Sequence, residues 1–196
     1  MPSPAAARFA DLLQRGRILR SISQFVDLGN VNNQVHYHAS LATTVAAWES
    51  YIHEIVRVFF AETSDPGNYS FHALHTIARE EAERKLRRFR TPNSENTRNL
   101  LITSIGYDPI PDWTWPRHGL GVLQVQEFMD EILKVRHSFA HGHAMPSYHW
   151  NRSAAGRVRL TIHGLRRVES FFSHLVRSTD AGVAVLIQSY GRIVSW

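Results

Sequence analysis

Apolar side chains recur at three- and four-residue steps along most of the chain, which is the period of an amphipathic helix. Short polar segments that contain glycine, asparagine or proline interrupt this pattern. Six segments share the helical period, and they cover residues 4–28, 33–62, 71–90, 93–106, 119–141 and 164–190. The pattern therefore predicts an all-α, up-and-down bundle of about five or six helices, in a single domain of 196 residues.

The breaks between these segments predict local structure of their own. Gly29-Asn30 is expected to end the first helix and Gly142 to cap the fifth, because these residue types favour the backbone of a helix C-terminus. Residues 107–116 are rich in proline and in aromatic side chains that need burial, so we expect an ordered loop there. Residues 157–162 alternate between polar and apolar side chains and predict a short extended piece.

The composition narrows the class of protein. The chain has no cysteine, which excludes disulfides, thiolate metal sites and cysteine nucleophiles. Its N-terminus lacks the charged start and long apolar run of a signal peptide. No stretch approaches the roughly 18 uncharged apolar residues of a membrane span. We therefore expect a cytoplasmic protein with no membrane partner.

Basic residues outnumber acidic ones, 22 to 17, which gives a net charge of +5. Such a mild excess favours polyanionic partners without identifying one. Five cations, Arg87 and Arg88 among them, crowd into residues 84–90 at the end of the third segment. The run is typical of a solvated helix end whose cations suit the helix dipole. The alternative is a patch that binds the RNA backbone.

Histidine is unusually frequent, at twelve residues, and several lie around the end of the fifth segment. There Arg136 precedes His141 by five residues, a separation that turns a helix by roughly 140°. The two side chains therefore flank a strip that includes His137. An arginine can clamp a phosphate through two parallel hydrogen bonds, and a histidine can take or give a proton near neutral pH. Spacing alone is a weak signal, since such pairs often arise by chance.

Residues 135–142, VRHSFAHG, resemble the signature of the HEPN superfamily. That signature is an arginine, a polar Asn, Asp or His, and then a histidine that four to six residues separate from the arginine. The ending Ala-His-Gly is similar to the RiboL-PSP and MAE-type branch of the superfamily. Trp48-Glu49 resembles that branch's "WE" helix, and Trp113-Thr114-Trp115 resembles part of its central segment. The resemblance covers roughly residues 35–190 and is weakest over the first helix.

The resemblance implies a homodimer in which two motif helices line one cleft. It also implies a metal-independent endoribonuclease without a cofactor, which is often a toxin or an antiviral effector with an antitoxin or a sensor as a further partner. Arg136 would act on the scissile phosphate and His141 on the ribose 2′-OH, which leaves a 2′,3′-cyclic phosphate. His137 and Glu49 would support this pair. The side chains expected to bind RNA are Lys134, His143, Arg87 and Arg88.

Other interpretations remain open. The chain can be a non-catalytic HEPN domain that binds RNA, a nucleotide or a partner protein. It can also hold a metal, because His137 and His141 lie one helical turn apart and His143 follows, a spacing that zinc can use. No Asp or Glu lies close by in sequence as a further ligand. Glu49 can equally be a solvated carboxylate at the edge of its helix.

Overall fold

A computed structural model describes residues 1–25, 29–65, 67–194 and 196 of the chain. Within these ranges the regular structure consists of six α-helices and three short 3-10 turns. The helices are α1 (Pro4–Phe25), α2 (Gly29–Glu62), α3 (Tyr69–Arg88), α4 (Ser94–Ile105), α5 (Val122–Ala140) and α6 (Ile162–Ser189). Two isolated antiparallel bridges are the only β pairing among these residues. The predicted all-α fold is therefore confirmed.

Helix α2 forms the centre of the bundle and contacts α1, α3, α4, α5 and α6. From Leu41 onward its apolar stripe is buried, because it packs against these neighbouring helices. Trp48, in the middle of this stripe, is fully buried and packs against the rings of Tyr51, Trp113 and Phe172. The described part of the chain contains no helix that has both the length and the apolar character needed to cross a membrane.

A buried carboxylate joins three helices. Asp180 on α6 accepts hydrogen bonds from the backbone N–H of Ser3 at 3.0 Å, from the Ser3 hydroxyl at 2.7 Å and from the Tyr51 hydroxyl at 3.1 Å. A buried charge is costly unless such bonds replace its water. Burial, followed by the neighbouring Asp180, raises the pKa of Tyr51 well above its usual value. The network thus ties the start of α1 to α2 and α6.

The loop between α4 and α5 is ordered, as its aromatic side chains predicted. Trp113 and Trp115 are buried in it. The indole N–H of Trp113 donates to the Thr179 hydroxyl at 3.0 Å, which anchors the loop on α6. Gly119 ends the second 3-10 turn with a φ of 66°. Helix α5 therefore begins after it, at Val122, and not at the predicted residue 119.

One local prediction is wrong. Gly29-Asn30 does not end a helix but begins α2, which starts before the expected residue 33. Contacts with a distant part of the chain hold the early turns of α2. The amide N–H of Gln34 donates to the carbonyl of Leu160 at 3.0 Å, and its amide oxygen accepts from the Leu160 N–H at 3.0 Å. The predicted end of the first helix at residue 28 lies outside the described residues. The short extended piece expected at residues 157–162 is present before α6 begins: Val158 makes one antiparallel bridge with Arg152, and the backbone of Thr161 is extended.

The segment that follows the motif helix is docked against the bundle. The indole N–H of Trp150 donates to a carboxylate oxygen of Glu131 on α5 at 3.1 Å. The backbone carbonyl of Trp150 lies so close to α6 that a Cβ on Gly164 would stand 2.7 Å from it. Asn151 is fully buried, and its amide donates to the carbonyl of Pro146 at 2.8 Å. These contacts hold the residues after the motif beside α5.

Candidate functional site

The C-terminus of α5 ends in a hydrogen-bonded cap that orders the motif. Gly142 has a φ of 67°, the left-handed conformation that glycine adopts most readily. The N–H of His143 donates to the carbonyl of Ser138 at 2.8 Å, and the N–H of Gly142 donates to that of Phe139 at 3.3 Å. This is the pair of bonds of a Schellman cap. The prediction of a glycine cap is confirmed, and the cap turns His143 back toward the helix.

Three imidazoles gather at this helix end. The ring centres of His137 and His141 lie 4.1 Å apart, and His143 stands 6.5 Å from the first and 6.2 Å from the second. All three side chains are exposed. Among the described residues, no group of three or more histidine, aspartate or glutamate side chains has an arrangement that could hold a metal ion.

Arg136 is exposed on α5 and lies within electrostatic reach of Glu49 on α2. Burial raises the pKa of Glu49, and the charges of Arg136 and Arg90 oppose this rise. Glu49 is half-buried, at the edge of the buried stripe of α2. The structure thus places one carboxylate within electrostatic reach of both the motif arginine and Arg90, at the end of the third segment.

His38 packs beneath the motif from α2. Its ring stacks on Phe139 with the centres 4.1 Å apart and the planes only 6° from parallel. His38 is 6% exposed, and its Nδ1 finds no hydrogen-bond partner within the described part of the chain. Burial lowers the pKa of His38 to about 4, so the imidazole is neutral at pH 7.

We expect His38 to make stability fall in mild acid. The unfolded chain binds a proton on this residue below about pH 6.5, whereas the folded chain resists it down to about pH 4. The contribution of the neutral His38 to the free energy of unfolding is complete above pH 6.5 and is lost as the pH falls toward 4. Between pH 7 and pH 5 the loss amounts to about 2 kcal/mol. Urea unfolding at both pH values should show a smaller acid loss in His38→Leu than in the wild type.

A matched control separates this effect from the other histidines. The variant His72→Leu removes an exposed imidazole from α3 and should leave the acid loss of stability unchanged. Equal acid losses in the wild type and in His38→Leu would contradict the account of His38.

A cavity of about 540 Å³, here the motif cavity, opens between α5 and the start of α4. Lys134, His137 and His143 line it, together with Asp130 and Tyr148. The volume lies in the range of small-molecule sites.

The carboxylate of Asp130 is already engaged, since it accepts from the backbone N–H and the hydroxyl of Ser94 at 3.3 and 3.0 Å. Arg136 and His141 are not among the lining residues, so they do not form the wall of the cavity.

The two cations predicted from the basic run occupy different positions. Arg88 lines a second cavity of about 440 Å³, here the α3–α4 cavity, whereas Arg87 is exposed and lines neither cavity. Thr91 lines both cavities and therefore separates them.

The sequence pattern indicates no role in the site for His38 or Asp130. Arg90 was visible only as a member of the basic run. No local pattern distinguishes these residues, because each acquires its place through contacts between different helices.

A family model described as RiboL-PSP-HEPN matches residues 10–183 of the chain. The match includes the motif, Glu49 and most of α6. It also extends further toward the N-terminus than the resemblance indicated, since most of α1 lies within it. No curated protein and no solved structure matches the chain.

Proposed function

The chain belongs to the RiboL-PSP-HEPN family, and we propose that it is a metal-independent endoribonuclease in which Arg136 and His141 act on the scissile phosphate group. The observation that supports this proposal most is the exposed end of α5, where a fixed cation lies next to three clustered imidazoles. Such a grouping can bind a phosphate and move a proton without further components.

In the proposed reaction the RNA supplies its own nucleophile. His141 takes the proton of the ribose 2′-OH, and the 2′ oxygen forms a bond to phosphorus. The bond from phosphorus to the 5′ oxygen breaks, and that oxygen takes up a proton from an imidazolium or from water. Arg136 stabilises the negative charge that develops on the phosphoryl oxygens. His137, in ring contact with His141, orients it, and Glu49 holds Arg136 toward α2.

The chemistry of the RNA ends tests this proposal. Purified protein is incubated with total RNA in the presence of a chelator, and the fragments are examined at both ends. We expect 2′,3′-cyclic phosphates and 5′-hydroxyls, with the same yield when divalent ions replace the chelator. Fragments that end in 3′-hydroxyls and 5′-phosphates would overturn the mechanism, and so would complete dependence on a divalent ion.

We further propose that two chains dimerise through the end of α5, since one helix supplies a single Arg136 and a single His141. Phe139 supports this contact: it is 47% exposed beside the motif, and Val35, one turn before His38 on α2, is 50% exposed. A second copy would cover both apolar side chains and bring two motifs together.

Charge placed on this surface should break the dimer. We expect Phe139→Arg to sediment as a monomer where the wild type sediments at twice the mass of one chain. Ile77→Arg is the matched control, because Ile77 is an exposed apolar residue on α3 and should tolerate the same change. A wild-type monomer, or a Phe139→Arg dimer of unchanged stability, would contradict dimerisation at this surface.

A non-catalytic RNA-binding domain is the second candidate function. The observation that favours it is the motif cavity, which Lys134, His137 and His143 line without Arg136 or His141. An RNA held there need not be cut. Tight RNA binding without cleavage, both with chelator and with divalent ions, would support this alternative over the nuclease.

As to its role in the cell, we propose a toxin or an antiviral effector that acts on cytoplasmic RNA and is restrained by an antitoxin or a sensor. Induced expression of the wild type should then stop growth, and the His141→Ala variant should not. Equal growth of both cultures at equal protein levels would argue against a toxin.

A further inference from the structure

A second basic cavity lies directly beside the motif cavity. The α3–α4 cavity, of about 440 Å³, shares the wall residue Thr91 with the motif cavity. Lys85, Arg88 and Arg90 line it, and none of its described lining residues is acidic. A cavity of this volume can accept a single nucleotide.

Its chemistry is that of a nucleotide site and not only that of a charged surface. Two primary amides, Asn96 and Asn99, stand among the cations, and Phe89 and Leu100 give the cavity an apolar floor. The Asn99 amide makes no hydrogen bond to the described residues, so both its donor and its acceptor are available. An amide of this kind matches the N6–N7 edge of adenine, which presents a donor beside an acceptor and which cytosine and uracil lack.

The walls are already held in place. The ammonium of Lys85 donates to the carbonyl of Thr103 at 2.6 Å, which joins α3 to α4. The Asn96 amide donates to the carbonyl of Thr91 at 3.0 Å. The carbonyl of Pro92, the next residue, accepts from the buried indole of Trp48 at 3.2 Å. A ligand would therefore meet a preformed site, which lowers the entropy cost of binding.

The cavity is also linked to the motif by charge. Arg90 lines the cavity, and it acts on the same carboxylate, Glu49, that Arg136 acts on. A strand whose phosphate reaches Arg136 can therefore continue past Thr91 while it stays near positive charge. Single-stranded RNA is commonly bound along such basic grooves with its bases turned into pockets.

We propose that the α3–α4 cavity is a subsite for the nucleotide next to the cleaved phosphate, with Arg88 and Arg90 on its phosphate and Asn99 on its base. The inference rests on the proposed RNA substrate. It adds a basis for sequence preference, since Asn99 would pair with the N6–N7 edge of adenine.

Binding of short oligonucleotides tests the subsite. Labelled hexaribonucleotides of A, C or U are titrated by fluorescence anisotropy with protein that carries His141→Ala, so that the RNA stays intact. We expect the A sequence to bind most tightly. In this background Arg88→Gln should weaken binding of all three sequences by roughly three- to tenfold and reduce the salt dependence by about one phosphate contact. Asn99→Ala should instead reduce the preference for A.

Arg84→Gln is the matched control. Arg84 lies on the same helix as Arg88, is exposed and pairs with Glu81 at 2.6 Å, and it does not line the cavity. If Arg88→Gln weakens binding no more than Arg84→Gln does, the subsite is overturned. Unchanged relative affinities in Asn99→Ala overturn it too, and so does the absence of binding by the parent protein.

The two proposals fail in different ways. Cleavage of RNA by the wild type, together with indifference to Arg88→Gln and Asn99→Ala, would remove the subsite and leave the nuclease. If the wild type does not cut RNA, but Arg88→Gln and Asn99→Ala change RNA binding as expected, the nuclease is contradicted and the subsite remains.

Discussion

His141→Ala is expected to lower the rate of RNA cleavage by about a hundred- to ten-thousandfold, the usual contribution of a general acid–base group. The fold should survive, because the side chain is exposed and only the backbone N–H of His141 takes part in the helix cap. Cleavage is followed on one defined RNA at saturating concentration, and circular dichroism and sedimentation report on the helices and the oligomeric state.

Arg136 offers a graded version of the same experiment. Arg136→Ala should lower the rate to a similar degree, while Arg136→Lys should retain part of it. Lysine keeps the charge but lacks the planar fork that binds two phosphoryl oxygens at once. If the two variants have equal rates, bidentate binding is not what Arg136 contributes.

Two exposed residues serve as controls for these variants. His149→Ala removes an imidazole from the segment after the motif, and Arg166→Ala removes a guanidinium from α6. Both should cut RNA at the wild-type rate. A His141→Ala preparation that cuts as fast as the His149→Ala control, after contaminating nucleases have been excluded, would end the case for this mechanism.

The helices could be predicted from the sequence because their signal is local. Apolar positions spaced by three and four residues depend only on which face a helix buries, and α2 shows that stripe from Leu41 onward. The glycine cap at Gly142 is local in the same sense, since a left-handed residue is needed immediately after the helix. The motif could be recognised for the same reason: its residues lie within one short segment.

Contacts between distant segments could not be predicted in this way. Gly29 has the residue type of a helix end, yet it begins α2, and the Gln34 bonds to Leu160 hold the turns that follow. His38 carries no sequence signal for its partner Phe139 on another helix. The two cavities depend on how α3, α4 and α5 pack, so the sequence indicated a basic run where the structure has a pocket.

Trp48 connects the core to these cavities. Its ring packs against Tyr51, Trp113 and Phe172, and its indole N–H donates to the carbonyl of Pro92. Pro92 follows Thr91, the residue that lines both cavities. The side chain therefore stabilises the bundle and also holds the α3–α4 connection in place.

We expect Trp48→Ala to reduce the free energy of unfolding by about 3–5 kcal/mol, the usual cost of removing a large buried aromatic side chain. Trp48→Phe keeps most of the apolar contact but removes the donor to Pro92 and leaves a smaller ring. We expect it to lower the free energy of unfolding by about 1–2 kcal/mol, the combined cost of one lost hydrogen bond and some lost packing. Urea unfolding measures both variants at one fixed protein concentration, because the stability of an oligomer depends on concentration.

The comparison of the two variants separates packing from the bond to Pro92. If packing dominates, Trp48→Phe should retain most of the stability but bind the A hexaribonucleotide more weakly, since the α3–α4 connection has lost its anchor. A Trp48→Ala protein within about 1 kcal/mol of the wild type would mean that the core closes around the missing ring. The Trp48 indole would then not be the group that holds the α3–α4 connection against the core.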